Sequence, residues 1–305
     1  MKIIRTIFSL ILMMVLISCS GDAPQTPFRN HDKPERIVVT SPAVAEMLAA
    51  LGLLDNVVGI GQYGPWPEAI AGLPAVGNYD TPNMEQILEL DTDIFLNVKS
   101  LAAAAAHQQL RNTGIEVMEL DTSTYEGIFS SIRKIGKRFN REEAAGQLIK
   151  KIRADVNKIN HLAQNLPKRR VLFVVGRDPV YVAGPGSFID HLIQIAGGEN
   201  IANDVQTPYQ QISMETVLES QPEVIIDTSV NSKGALRGRR PGYWGKWSFI
   251  PAVRNNRVYW IDPSRLVIPG IHIAHTAYLM GKLIHPEVFG KPGPEDYIKA
   301  GRKFQ

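Results

Sequence analysis

The sequence contains a single cysteine, Cys19, among its 305 residues. It therefore cannot form an intrachain disulfide bond or a thiolate metal cluster. Neither sign of charge is in clear excess, with 33 Lys and Arg against 30 Asp and Glu, so composition gives no electrostatic basis for binding nucleic acid. The G-x-S-x-G and H-E-x-x-H motifs are both missing, and no other pattern argues for an enzyme. With 44% hydrophobic residues, the chain is long enough for two packed domains.

The N-terminal apolar run, Ile7–Ile17, is shorter than the roughly 20 residues that a bilayer span needs. Basic residues precede it, as in a secretory signal, and Leu16-Ile17-Ser18-Cys19 resembles the lipobox of bacterial lipoproteins, in which the cysteine is acylated. We therefore predict a lipoprotein signal peptide over residues 1–19 and a flexible tether over residues 20–35. The mature protein is expected in the periplasm or on the outer face of the cell membrane, anchored by lipid. The alternative is a plain secretory signal with an incidental cysteine.

Beyond the tether, short apolar runs of strand type alternate with helical patterns. This alternation predicts parallel sheets with helices on their faces. The longest helical pattern, Arg141–Leu166, has apolar residues at spacings of three and four, and Asn140 with Glu143 is typical of an N-cap and its capping-box partner. The predicted fold is α/β, with two Rossmann-like lobes joined by one long helix. The expected boundaries are a first lobe, a linker helix, a second lobe and a tail at residues 36–139, 140–166, 167–290 and 291–305.

An internal repeat links the two halves. Asn83-Met-Glu-Gln-Ile-Leu-Glu89 and Ser213-Met-Glu-Thr-Val-Leu-Glu219 align without a gap, and each precedes an acid and a strand-like run. Glu85 and Glu215 fall in the first turn of their helices, where a carboxylate favours the helix dipole by about 0.3–1 kcal/mol. Two equivalent carboxylates on two lobes could also dock a two-fold partner that carries arginines.

Residues Gly59-Ile-Gly-Gln-Tyr-Gly64 match the G-x-G-x-x-G pattern of dinucleotide-binding loops. That chemistry requires a helix at the last glycine, and Pro65 and Pro67 argue against one. A nucleotide-dependent enzyme built on this loop nevertheless remains an alternative. Aromatic side chains on loops at the end of a parallel sheet suit a bulky organic ligand. The candidates are Tyr63, Trp66, Tyr79, Tyr209 and Trp244, with Asp262 and Arg265 on the loop after the last strand.

A further candidate is the pair His272 and His275, whose spacing on the last helix could share a metal. The sequence offers no third ligand nearby. We therefore predict no metal site and no cofactor.

Together these segments resemble the solute-binding proteins of bacterial ABC importers that have two α/β lobes and a single-helix linker. The motifs that carry the resemblance lie between Arg36 and Gly290. They are Arg36–Pro42, Ala50–Leu53, Asn83–Glu85, Ala196–Ile201, Gln211–Glu215 and Pro251–Tyr259. Members of this family bind cobalamin, haem or ferric siderophores. The resemblance implies a monomeric binding protein that delivers a metal chelate to a permease dimer with its ATPase subunits.

The resemblance also implies roles for individual residues. Glu85 and Glu215 match the glutamates that dock onto permease arginines. The loop of Tyr63 is similar to a ligand loop of the cobalamin-binding members, Tyr209 falls where those proteins have a tryptophan, and Asp262–Leu266 falls on their second contact loop. A corrinoid is thus the first expectation. A haem or siderophore carrier, using the basic stretch Ser232–Lys246, is the alternative.

Overall fold

The computed structural model describes residues 35–204, 207–229, 238–239, 242–293 and 296. The predicted signal peptide with Cys19, the tether and most of the C-terminal tail lie outside these residues. Within the part described, no helix combines the length and the apolar character needed for a membrane span.

The first half of the described chain contains a four-stranded parallel sheet in the order β2-β1-β3-β4. The strands are β1 (Ile37–Val39), β2 (Val57–Ile60), β3 (Ile94–Val98) and β4 (Glu116–Leu120). Helices cover both faces: α1 (Pro42–Ala50), α2 (Met84–Glu89), α3 (Ala104–Asn112) and α4 (Tyr125–Arg138). Because both faces are covered, β1 and the first four residues of β3 are buried, as expected of strands in a parallel α/β sheet.

The second half contains a mixed sheet whose main path is β10-β11-β9-β5-β6-β8, with β7 also paired to β5. The strands are β5 (Arg169–Gly176), β6 (Tyr181–Ala183), β7 (Gly198–Asn200), β8 (Tyr209–Gln211), β9 (Val224–Asp227), β10 (Gly238–Arg239) and β11 (Val258–Trp260). Strands β5, β7, β9 and β11 are parallel, whereas β6, β8 and β10 add antiparallel pairs. The predicted parallel sheet is therefore present but extended by short antiparallel strands.

Six helices accompany this second sheet among the described residues. They are α6 (Phe188–Ile195), α7 (Met214–Ser220), α8 (Pro251–Arg254), α9 (Pro263–Leu266), α10 (Ile273–Ile284) and α11 (Pro286–Phe289). Short 3-10 helices occur at Leu54–Asn56, Glu68–Ile70 and Gly242–Lys246.

A 22-residue helix, α5 (Glu142–Ala163), connects the two halves. Its buried stripe packs against α4 and α10 and belongs to one hydrophobic core that includes residues of both sheets. The stripe consists of Ala145, Ile149, Ile152, Val156, Ile159 and Ala163. The predicted long helix is thus present, but its predicted cap is wrong. Arg141 is the N-cap, without a side-chain capping bond, and Asn140 has a left-handed φ of 54°.

The two halves contact each other through segments that follow strands of both sheets. After β4, the carbonyl of Ser123 accepts a 3.0 Å hydrogen bond from the amide of Phe188 at the start of α6. After β11, the segment at Gly270 lies against Ala43 and Glu46 of α1, the helix that follows β1. Since ligands of open α/β sheets bind outside the carboxyl ends of the strands, the region between the carboxyl ends of the two sheets, called the cleft below, is the place to look for a site.

Candidate functional site

Aromatic side chains stand exposed on both halves of the described chain. Tyr63, three residues after β2, is 70% exposed, and Tyr79, in the segment that leads to α2, is 49% exposed. On the other sheet, Tyr209 opens β8 and is 46% exposed. Large rings exposed to this extent are poor contributors to a core, so they are available to stack on a ligand.

The glycine pattern Gly59–Gly64 serves packing rather than phosphate binding. A Cβ on Gly61 would lie 2.7 Å from the carbonyl oxygen of Thr40, and a Cβ on Gly64, whose φ is +151°, would lie 2.3 Å from Cγ of Pro42. Trp66 packs beside both glycines and is partly buried. No helix begins at Gly64, because the chain next turns into the 3-10 helix at Glu68–Ile70. The loop therefore lacks the helix N-terminus that a pyrophosphate site requires.

A buried polar chain holds the backbone beside Tyr79. Asn97 of β3 donates through Nδ2 to the carbonyl oxygen of Tyr79 at 2.7 Å and to Nε2 of His107 at 2.9 Å. Because Nε2 accepts, the proton of the neutral imidazole is on Nδ1, which donates to Glu119 Oε1 at 2.9 Å. Arg111 completes the chain by donating to Glu119 Oε2 at 2.6 Å. These contacts tie the aromatic loop to β3, α3 and β4.

The phenol groups of Tyr79 and Tyr209 are neutral at physiological pH. Burial, and then the neighbouring charge and hydrogen bond of Asp80, raise the pKa of Tyr79 above its usual 10.0. Burial also raises the pKa of the Tyr209 phenol. Neutral phenols suit stacking and hydrogen bonding to a neutral or polar ligand.

Trp244 does not reach the cleft surface, so the prediction of a ligand contact there is wrong. Its side chain is 0% exposed, and Nε1 donates to Oδ2 of the fully buried Asp227 at 2.8 Å. The indole is therefore part of the core that packs under the second sheet. Within the basic stretch Ser232–Lys246, the described residues form β10 and the 3-10 helix at Gly242–Lys246.

Asp262 is partly buried and lies two residues after β11, at the carboxyl end of that strand. The backbone of Arg265 lies in the short helix α9, but its side chain is outside the described part. Its role in ligand binding stays a prediction.

The two repeated glutamates occupy matching positions. Asn83 Oδ1 accepts from the amide of Gln86 at 3.3 Å and caps α2, while Ser213 Oγ accepts from the amide of Thr216 at 3.1 Å and caps α7. Glu85 and Glu215 follow two residues after these caps, and both are exposed. Hydrogen bonds from its own amide and from Ser213 lower the pKa of Glu215, which keeps it charged at neutral pH.

A family model for periplasmic binding proteins matches residues 37–264 of the chain. The chain belongs to the periplasmic binding protein family. The matched span runs from β1 to the start of α9 and includes both sheets, the two repeated glutamates, and Tyr63, Tyr79 and Tyr209.

Individual members of the family are similar over most of their length. The chain is 29% identical over 275 residues, 88% of this chain and 85% of the other, to an uncharacterised ABC transporter substrate-binding lipoprotein of Bacillus subtilis, YvrC. It is 28% identical over 233 residues, 76% of this chain and 86% of the other, to a vitamin B12-binding protein of Salmonella typhimurium. Among solved structures, the periplasmic haem-binding protein HutB of Vibrio cholerae superimposes with a TM-score of 0.74 at 26% identity, covering 83% of this chain and 100% of that one.

The histidine pair of the last helix does not form a metal cluster in the described structure. His272 is the N-cap of α10, and its Nε2 lies 3.8 Å from Oε2 of the buried Glu46. Within the described ranges, no group of three or more His, Cys, Asp or Glu side chains is arranged to hold a metal ion.

Sequence reasoning did not identify two cleft residues, Leu101 and Arg177. Leu101 follows β3 and is 97% exposed, and its neighbour Ser100 bonds to Asp80 beside Tyr79 at 2.5 Å. Arg177 is the first residue after β5. The signal that could have found them is position alone, since each directly or closely follows the carboxyl end of a strand.

Proposed function

We propose that this chain is an extracytoplasmic substrate-binding lipoprotein that captures a bulky metal chelate, in the first instance a corrinoid, and passes it to an ABC importer. The observation that carries the proposal is a set of exposed rings on both halves, with Tyr63 and Tyr79 on loops of the first half and Tyr209 at the start of β8 in the second. A large flat ligand held between two lobes would cover these rings and recover the free energy of burying them.

A corrinoid is favoured by two independent features. The loop of Tyr63 is similar to a ligand loop of cobalamin-binding proteins, and curated relatives at 24–29% identity are vitamin B12-binding proteins. In addition, the phenols of Tyr79 and Tyr209 have raised pKa values, so they stay protonated and can donate hydrogen bonds to the amide side chains of a corrin.

A haem or ferric-siderophore ligand is the second candidate. It is supported by the similarity to the haem-binding protein HutB and by the basic residues of Arg237–Lys246, which could pair with the carboxylates of such a ligand.

Partner binding and anchoring complete the proposal. Glu85 and Glu215 are proposed to dock onto arginines of the permease dimer, whose ATPase subunits drive import. Cys19 is proposed to carry the lipid, so that a monomeric binding protein is held at the outer face of the membrane. The likeness to a lipoprotein of Bacillus subtilis supports this anchor.

The deciding experiment is a fluorescence and calorimetric titration of the purified full-length chain in detergent, with empty micelles subtracted. The probes are cyanocobalamin, haemin and a panel of ferric siderophores. We expect saturable binding of cyanocobalamin with a Kd below about 1 μM. Tight binding of haemin or a siderophore alone would replace the corrinoid with the second candidate. Binding of none of the probes would contradict the proposed ligand class.

Tyr63→Leu should weaken the binding about tenfold, because it removes one stacking ring. Phe249→Leu is the control. Phe249 is 54% exposed, but it lies near the amino ends of the strands of the second sheet. It precedes α8, in which the amide of Ala252 donates to the carbonyl of Pro222, just before β9. Equal effects of the two substitutions would argue against a role for Tyr63 in the cleft.

A further inference from the structure

Arg177 lies in a fixed position at the carboxyl end of β5, the strand on which the second sheet is centred. Its guanidinium carbon is 4.6 Å from the ring centroid of Trp260 and 5.1 Å from that of Tyr243. Its Nε donates to Oγ of Ser229 at 2.7 Å. Ring stacking and this hydrogen bond together restrict the side chain, so that its planar group is presented in one orientation.

The end of this side chain is available for another partner. Among the described residues, the two terminal nitrogens of Arg177 donate no hydrogen bond, and the side chain is 24% exposed. A guanidinium held by its Nε and its faces leaves two parallel N–H groups, which match the two oxygens of a carboxylate or phosphate.

The neighbouring Asp227 does not use up this capacity. Asp227 is fully buried, and its carboxylate accepts from Nε1 of Trp244 at 2.8 Å and from the amide and Oγ of Ser229 at 3.0 and 2.5 Å. The closest approach of Arg177 is 3.7 Å, from Nε, which is outside hydrogen-bond distance. Neutral donors thus satisfy the carboxylate, while Arg177 supplies charge balance without spending its terminal nitrogens.

We propose that Arg177 is an anion-recognition point in the cleft and that the captured chelate carries a carboxylate or phosphate, which its terminal nitrogens bind. This inference rests on the proposed function, since it names a chemical group of the ligand in the same cleft. The acidic group has two possible sources. In a corrinoid it is the phosphodiester of the nucleotide loop, and in a haem it is a propionate.

The test compares ligands that differ only by removal of the acidic group or of the part that carries it. The pairs are cyanocobalamin with dicyanocobinamide, which lacks the phosphodiester, and haemin with its dimethyl ester. Affinities are measured by calorimetry for the full-length wild type and for Arg177→Met. We expect the substitution to weaken the acid-bearing member about tenfold to a hundredfold and to change the other member by less than about twofold.

The matched control is Arg170→Met. Arg170 lies near the start of the same strand, where Nε donates to the carbonyl of Gln221 at 3.2 Å and a terminal nitrogen is 3.9 Å from Glu223. Because Arg170 lies at the amino end of β5, opposite to Arg177, the substitution should leave the affinities for both members of each ligand pair unchanged. Arg177→Lys keeps the positive charge and the aliphatic part of the side chain but loses the two parallel N–H groups. It should therefore bind the acid-bearing ligand more tightly than Arg177→Met does, but less tightly than the wild type.

Each outcome has a definite meaning. Equal weakening of both members of a pair would make Arg177 a structural residue, and no weakening of either would remove it from the site; both results overturn the inference while the proposed function stands. If the wild type binds none of the four ligands, both proposals fail.

If Arg177→Met does not fold, the wild type alone gives the answer. Added salt should then weaken the acid-bearing member more than its partner, and equal salt dependence would overturn the inference.

Discussion

Asn97 shows how one buried side chain can position a loop that it does not belong to. Its amide bonds to the Tyr79 carbonyl and to His107, and its Oδ1 accepts from Oγ1 of Thr40 at 2.8 Å. Each of these groups is satisfied only while the others stay in place. A polar side chain inside a buried strand is costly unless every hydrogen bond is made, so this chain of contacts fixes both the strand end and the aromatic loop.

Glu119 makes this chain sensitive to acid. Burial raises the pKa of its carboxyl, but hydrogen bonds from His107 and Arg111 outweigh that effect, and the pKa lies below its usual 4.5. A carboxyl with a lowered pKa in the folded state stabilises the protein fully above pH 4.5, and the contribution is lost as the pH falls through the folded-state value. Glu119→Gln should therefore lower the free energy of unfolding by about 1 kcal/mol at neutral pH and flatten its decline in acid.

Urea unfolding at a series of pH values on both sides of 4.5 measures this effect. Glu68→Gln, at an exposed position, serves as the control and should leave the pH profile unchanged. A Glu119→Gln profile that runs parallel to the wild type would contradict the assignment.

At the scale of helices and strands, a helix cap can be read from the sequence only when it depends on neighbouring residues alone. Asn83, Ser187 and Ser213 each cap a helix, and such a cap needs only a side chain and an amide three residues on. The predicted cap at Asn140 fails because α4 ends at Arg138 and α5 begins at Glu142. So short a reversal takes a left-handed residue, and Asn140 adopts that role while the amide of Arg141 bonds back to Gly136 at 2.7 Å.

Features that depend on residues distant in the sequence could not be predicted from local patterns. Tyr63, Tyr79 and Tyr209 were chosen from the sequence because aromatic residues beside strands are a local pattern, and all three are exposed. Trp244 lies in a glycine-rich stretch and has the same local pattern, but its partner Asp227 is 17 residues away at the end of β9. The antiparallel pairing of β10 with β11 is likewise set by tertiary contacts that periodicity does not encode.

The loop that carries Tyr63 gives a test at this scale. Gly64 has a φ of +151°, and a Cβ there would overlap Cγ of Pro42, the first residue of α1. Gly64→Ala should displace the loop, weaken ligand binding about tenfold, and destabilise the fold by about 1–3 kcal/mol.

Gly72→Ala is the matched control, because a Cβ at Gly72 would meet nothing within 4 Å. Calorimetric affinity and the midpoint of thermal unfolding are the two measurements. Wild-type values for Gly64→Ala would show that the glycine is not needed for the loop.

For the whole molecule, contacts between the two halves fix the distance between functional residues on one half and those on the other. The ring centroids of Tyr125 on α4 and His191 on α6 are 4.1 Å apart, and α5 buries residues against both halves. The repeated helices α2 and α7 are built on the two sheets of this framework. Glu85 and Glu215 are therefore presented from the two halves on equivalent capped helices, as a two-fold partner would require.

The last prediction follows from that spacing. Joint substitution of Glu85→Lys and Glu215→Lys should lower ligand uptake at least about thirtyfold, because charge pairs at an interface contribute about 2–5 kcal/mol when truncated and reversal adds repulsion. Ligand affinity should not change, because neither residue is among the proposed ligand contacts. Uptake is measured in cells in which the variant replaces the wild-type chain, and affinity on the purified protein.

Joint substitution of Glu89→Lys and Glu219→Lys is the control, since these residues are exposed on the same two helices one turn later. Lysine in the first turn also opposes the helix dipole at a cost of about 0.3–1 kcal/mol per helix, so unfolding midpoints are compared for both pairs. If the first pair transports ligand as well as the control pair does, the docking roles of Glu85 and Glu215 are wrong. If affinity falls together with uptake, the carboxylates act on the cleft and not on the permease.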